Sequence, residues 1–395
     1  MKTDLWQPPR LRTNEEHEKE RKATWLELFY DLIFVVAIAE MSHSLSKDIS
    51  VQGFIGFIIL FISVWWCWLG TTFYATLFDT DDIRDRLLTL LQMMIVATLA
   101  VNVHHGLSTS SIGFALSYIS VRCILIFQFI FAGYHIKEAR PLTNWYAVGF
   151  SISSVLWLIS IFVPTPWRFV LWTLGLILDF SIPFGTGNLA TKIPPDISHV
   201  PERLGLFTII VLGESIVAVV RGVADREWNI SSALVALLGL SIAFSFWWLY
   251  FDSVSGSPWE NMKTGRIGIV LCWLYSHVVL GIALAATGVG VEHMILKSSA
   301  NTLPETERWL FCGAVTLCLS TLALTNFISC ILEKNKKAKI LSTYRLGAAG
   351  FVLVLAIGGM SLSPTVLSLL VAIACVLTVT LDLLGKHESR LGFQD

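Results

Sequence analysis

Asp31, Arg122, Asp179, Glu214 and His277 are titratable side chains set inside long apolar runs of this sequence. An ionisable group at bilayer depth costs at least a few kcal/mol, so each is read as a candidate for binding a proton or a small polar substrate. Arg122, in Ser117-Tyr118-Ile119-Ser120-Val121-Arg122, lies about ten residues from either end of its run, too deep for its stem to reach water. It needs a carboxylate partner. Asp179 and Glu214 sit at comparable depth and Asp31 is a third choice; Asp179 comes first because Pro183, four residues on, removes a helical hydrogen bond at Asp179 and bends its helix. Such a pair can be a static contact that fixes packing. It can equally be a site where one carboxylate gains and loses a proton while Arg122 senses its charge, as a proton-coupled carrier requires.

Asp31 belongs to Thr24-Trp25-Leu26-Glu27-Leu28-Phe29-Tyr30-Asp31. Thr24 and Glu27 have the spacing of a capping box, which gives Glu27 a structural role at a helix start. Asp31 is one turn deeper on the same face, about 9 Å inside. It either snorkels back to water, pairs with a neighbouring helix, or binds a substrate. In Gly213-Glu214-Ser215 the glycine allows close helix approach and the acid faces the bundle. His277 can relay protons, ligate a metal or simply hydrogen-bond within the packing.

Other chemistry is thinly represented. No HExxH, GxSxG or P-loop pattern occurs, and the seven cysteines lie in apolar runs without metal-ligand spacing. Neither a metal nor a cofactor is expected. The net charge of −1 and the lack of a basic, aromatic stripe argue against nucleic-acid binding. The expected partners are the lipid bilayer and an unidentified small-molecule or ion substrate.

The elements that must position these residues are membrane helices. The chain is 54% hydrophobic and only 14% charged, too few charges to solvate a soluble fold. Its apolar runs are about twenty residues long, the length a helix needs to cross a bilayer. About twelve spans are predicted, at 25–46, 52–77, 86–106, 111–135, 144–162, 167–187, 203–222, 231–251, 265–290, 308–331, 345–362 and 365–385. The tryptophans, including Trp65, Trp66 and Trp68, are read as interfacial anchors and packing. Met1 to Lys22 is polar and charged, so it is expected to remain as a cytosolic tail and not to serve as a signal peptide. About 21 of the 28 Lys and Arg residues fall in the tails and even-numbered connections, which places both termini and the Glu333 to Lys339 segment in the cytoplasm.

The two halves resemble each other. Leu28-Phe29 aligns with Leu206-Phe207, Trp65-Trp66 with Trp247-Trp248, Pro164-Thr165 with Pro364-Thr365, and Leu178-Asp179 with Leu381-Asp382. The predicted fold is therefore an all-α polytopic membrane protein of two parallel six-helix repeats, 25–192 and 203–385. A Pro-rich linker, 193–202, joins them, with tails at 1–24 and 386–395.

Trp25-Leu26-Glu27-Leu28-Phe29-Tyr30-Asp31-Leu32-Ile33-Phe34-Val35-Val36 resembles the opening signature of the bacterial low temperature requirement A family. Glu202-Arg203-Leu204-Gly205-Leu206-Phe207-Thr208-Ile209-Ile210-Val211-Leu212-Gly213-Glu214-Ser215 resembles a second family motif, as do the Trp cluster at 65–68 and the pair Val121-Arg122. The likeness covers almost the whole chain and marks Glu27, Asp31, Arg122, Glu202, Arg203 and Glu214 as family-pattern positions. Glu202 and Arg203 are expected at the cytosolic end of span 7. The family's name implies a contribution to growth in the cold and supplies no mechanism. The leading expectation is a proton-coupled secondary transporter with a polar site near the midplane between the repeats. An intramembrane or lipid-modifying enzyme, with Glu40, His43, His104 and His105 clustered at the outer surface, is an alternative; so is a sensor or assembly factor that uses Asn14 to Lys22.

Overall fold

The computed structural model describes residues 6–11, 23–79, 82–193, 199–224, 229–252, 266–333 and 336–391. The charged segment Asn14 to Lys22, the centre of the linker at 193–202, positions 334–335 of the Glu333 to Lys339 segment and the end of the C-terminal tail lie outside the described residues. Among those described, 12 helices are long and apolar enough to cross a membrane. In chain order the elements are β1 (Arg10–Leu11), α1 (Trp25–Lys47), α2 (Val51–Leu77), β2 (Phe78–Asp79), α3 (Ile83–Val103), α4 (Ser111–His135), α5 (Arg140–Ser160), α6 (Trp167–Ser181), α7 (Asn188–Lys192), α8 (His199–Ala224), α9 (Ile230–Phe251), α10 (Ile267–Leu296), α11 (Glu305–Glu333), α12 (Lys336–Gly358) and α13 (Pro364–Leu391). β1 and β2 form a two-residue antiparallel ladder.

Helix starts follow local chemistry. Thr24 and Glu27 form the expected capping box, with Thr24 N donating to Glu27 Oε2 (2.7 Å) and Glu27 N to Thr24 Oγ1 (3.2 Å). Asp82 caps α3 through Asp85 N at 2.7 Å, so that helix begins at Ile83, ahead of the predicted 86. Asn229 and Ser232 cap α9 reciprocally. Pro183 acts as predicted on α6, where the α-helix gives way at Ile182 to a 3₁₀ turn over Ile182–Thr186. Ile182 N now reaches the carbonyls of Leu178 and Asp179.

The chain divides into two compact units. The first holds residues 1–41, 56–206 and 259–271, and packs α3, α4, α5 and α6 side by side in chain order. Its apolar core includes Tyr74, Phe78, Phe129, Tyr146 and Phe150. The second holds residues 42–55, 207–258 and 272–395, with α11 against α12, α12 against α13 and α9 against α13. Glycine sets close approaches in this unit. A Cβ on Gly288 would lie 2.9 Å from Ser215 Cα, and one on Gly290 would lie 2.8 Å from Phe311 Cα.

Polarity is arranged inside out. α3 exposes Leu87, Leu90, Leu91 and Met94 while burying Gln92, and Arg122, Asp179, Arg203, Arg345 and Asp382 are all enclosed. Apolar surface outside with ions within suits a hydrocarbon solvent. Of the two roles expected for the tryptophans, anchoring and packing, the cluster takes packing: Trp65, Trp66 and Trp68 are buried in the first unit, and Trp68 has a buried acid to bond.

Candidate functional site

The deepest ionic contact of the first unit joins α4 to α6. Arg122 Nη2 donates to Asp179 Oδ1, and Tyr118 OH donates to Asp179 Oδ2 at 2.8 Å. All three side chains are fully enclosed. Aromatic rings close the space around them, with the Arg122 guanidinium 4.0 Å over the Phe150 ring, and Tyr118 stacked on Trp157 at 4.1 Å, which in turn stacks on Trp172 at 4.7 Å. Asp179 is thus the carboxylate that meets Arg122. Glu214, the other carboxylate weighed, bonds instead to Arg221 on its own helix at 2.9 Å, two turns along α8.

Asp31 meets a residue that the sequence reading left at a helix end. Arg203 Nη2 donates to Asp31 Oδ1 at 2.7 Å, and Trp68 Nε1 donates to the same oxygen at 2.9 Å. Asp31 is 3% exposed and Arg203 only 1%, so Arg203, although it lies near the start of α8, is an enclosed residue. α8 begins at His199, one turn earlier than predicted, which draws Arg203 inward. His199 is itself buried and bridges Thr76 Oγ1 (3.0 Å) and Glu27 Oε2 (3.4 Å). Glu202 accepts from Ala23 N at 3.2 Å.

Beside this pair the first unit opens into a cleft of about 890 Å³, lined among others by Glu27, Tyr30, Thr71, Thr72, Gln92 and Arg203. Tyr30 OH donates to Thr71 Oγ1 (3.2 Å), and Gln92 Nε2 donates to Gln128 Oε1 (3.2 Å). Thr72 Oγ1, Gln92 Oε1, and Nε and Nη1 of Arg203 have no hydrogen-bond partner among the described residues.

The second unit has its own buried pair, Arg345 Nη2 of α12 to Asp382 Oδ2 of α13, with Arg345 Nη1 also donating to the Leu322 carbonyl at 3.1 Å. Sequence reading aligned Asp382 with Asp179 but missed Arg345. The signal was available, since an acid that aligns with a buried one needs a cation. His277 donates Nδ1–H to the Trp273 carbonyl (2.9 Å) and sits edge-on to the rings of Trp273 and Tyr250. A further cluster lies where α10 runs past its predicted end. His293 lies 3.4 Å from Glu307 Oε1 and 3.1 Å from the Ser46 carbonyl, and Ser46 Oγ donates to Glu292 Oε1 at 3.0 Å. His104 and His105 meet edge to face, with ring centroids 4.8 Å apart. Among the described residues no three His, Cys, Asp or Glu side chains come together as metal ligands, so Glu40, His43, His104 and His105 form no such cluster.

Twelve apolar spans that turn their ions inward and their leucines outward define a polytopic helical membrane protein. Over residues 22–381, nearly its whole length, the chain matches and belongs to the bacterial low temperature requirement A protein (LtrA) family. It is also similar to an uncharacterized protein of Rhizobium meliloti (strain 1021), 28% identical over 295 residues, which cover 69% of this chain and 70% of that protein. Two of the positions that carry the family likeness, Asp31 and Arg203, bond each other directly.

Proposed function

We propose that this protein is a proton-coupled secondary carrier of the bacterial inner membrane, built from two six-span repeats with both termini in the cytoplasm. The observation that carries this reading is the cleft with its Arg203–Asp31 pair. The N-terminal ends of α1, α3 and α8 and the C-terminal end of α2 all contribute to it. Under the positive-inside distribution these ends share the cytosolic side. The cleft is therefore a vestibule for a cytosolic solute, with a titratable acid held behind its wall. Proton binding at Asp31 weakens its hold on Arg203, and a substrate on Arg203 favours the protonated acid, which is the reciprocity that coupling needs. Arg122–Asp179, enclosed by aromatic rings and distant in chain from any cleft-lining residue but Gln128, serves as a structural pair in this scheme.

The duplication is supported by the aligned acids Asp179 and Asp382, each bonded to a buried arginine of its own unit. The arginine comes from the fourth span in the first half and from the fifth in the second, so the acid and not the whole pair follows the alignment.

Proteoliposomes loaded with a pH-reporting dye and challenged with pooled bacterial metabolites test the carrier reading. Solute-dependent proton movement is expected in at least one pool, and Asp31→Asn should abolish it. A correctly folded protein that moves no protons with any pool overturns the proposal.

A further inference from the structure

We infer that the cleft of the first unit binds a small organic anion, a carboxylate on an apolar ring-sized body, through the unspent N–H groups of Arg203. The inference rests on the carrier reading and names its substrate class. A guanidinium has five N–H donors, all needing acceptors when enclosed. Arg203 is 1% exposed and lines the cleft, yet among the described residues only its Nη2 is engaged in a hydrogen bond, to Asp31, while Nε and Nη1 have no partner there. Two further enclosed groups of the cleft lining are also unspent, Thr72 Oγ1 and Gln92 Oε1, with their residues 2% and 0% exposed. Enclosed, unsatisfied polar atoms on residues that line one cavity are what a ligand site presents.

Charge decides the ligand's sign. Carboxylates also line the cleft, but they are already committed. Glu27 accepts from Thr24 N and faces His199 Nε2, while Asp79, Asp85 and Arg86 have partners within the chain. Asp31 lies behind Arg203 and is not part of the lining. Arg203 is paired with Asp31 through Nη2 alone, so what the lining has left to offer is the remaining N–H donors of a cation, which take an anion. The rest of the wall includes Trp25, Phe29, Tyr30, Tyr74 and Phe78, which suits a flat apolar body, and a volume of about 890 Å³ is within the range that holds one small organic molecule. An anion on Arg203 draws the guanidinium from Asp31 and favours the acid's protonated form, so proton and anion would travel together.

The test uses the full-length protein in phosphatidylcholine nanodiscs and three probes that share one body and differ in charge: benzoate, benzyl alcohol and benzylammonium. Binding is read by intrinsic tryptophan fluorescence and by thermal shift. Benzoate should bind at least tenfold more tightly than the other two, and Thr72→Val should weaken it several-fold. Arg203→Gln should remove the preference; because that variant leaves Asp31 without its cation, Asp31→Asn/Arg203→Gln serves as the folded control and should show no preference either. Benzylammonium binding as tightly as benzoate, a benzoate preference that survives in the double variant, or no saturable binding of any probe by folded wild type would overturn the inference. Since the readout is binding, a protein that prefers benzoate but moves no solute refutes the carrier reading alone. One that moves protons with a cationic solute refutes this inference alone.

Discussion

Arg122 shows how much a single residue reveals before any fold is known. Its distance from both ends of an apolar run demanded a carboxylate, and Asp179 is bonded to it. Removing one member leaves an enclosed charge, so Arg122→Ala should lower stability by about 3–5 kcal/mol, whereas Arg122→Met/Asp179→Leu should restore most of it. Thermal unfolding in detergent would show this, and equal loss in single and double variants would contradict the structural role. The same reasoning covers Trp68, whose indole N–H is one of two donors to Asp31 Oδ1. Trp68→Phe keeps the ring but drops the donor, and should cost about 1.5–3 kcal/mol in the same assay. Arg203 was not legible in this way. Hydropathy begins span 7 at Arg203 itself and so sets it at a cytosolic helix end, while α8 begins at His199 and Arg203 is enclosed. Arg345 was missed for the same reason, since span 11 was set to start there although its helix begins at Lys336. An arginine at the first residue of an apolar run marks where hydropathy rises, not where the helix starts.

At the scale of elements, the spans were readable because their length and apolar content are fixed by the bilayer. The ends were less so, and the misplacements have local causes. α10 runs to Leu296, past the predicted 290, because Glu292 and His293 find partners on Ser46 and Glu307 in place of solvent. α3 begins early because Asp82 caps it. Asp82 also accepts Gln7 N at 3.0 Å through its second oxygen, so one carboxylate fastens both a helix start and the segment that carries β1. Asp82→Ala should therefore cost about 0.5–2 kcal/mol for the cap. It should also speed hydrogen exchange together in the first turn of α3 and in residues 6–11, with the rest of the chain unchanged. Faster exchange in α3 alone would show that the N-terminal segment is held by other contacts.

For the whole molecule, the open matter is orientation, which composition addresses more directly than packing does. Lys and Arg cross a membrane reluctantly during insertion, so in the topology proposed above their excess in the tails and even-numbered connections puts those segments on the cytoplasmic side. The structure adds a consistency condition. The twelve spans alternate in direction if each crosses once, which puts His105 after α3 and Lys297 after α10 on the side opposite the start of α12. Both His105 and Lys297 are exposed and so can be replaced with little harm to packing. Single cysteines at 105, 297 and 336 can then be challenged with an impermeant maleimide, after the exposed Cys123 and Cys272 have been replaced by serine. In intact cells positions 105 and 297 should label strongly and position 336 only after permeabilisation. Strong labelling at 336 in intact cells would invert the protein. The cleft of the first unit would then open outward, making it a site for uptake from outside rather than for solutes of the cytoplasm.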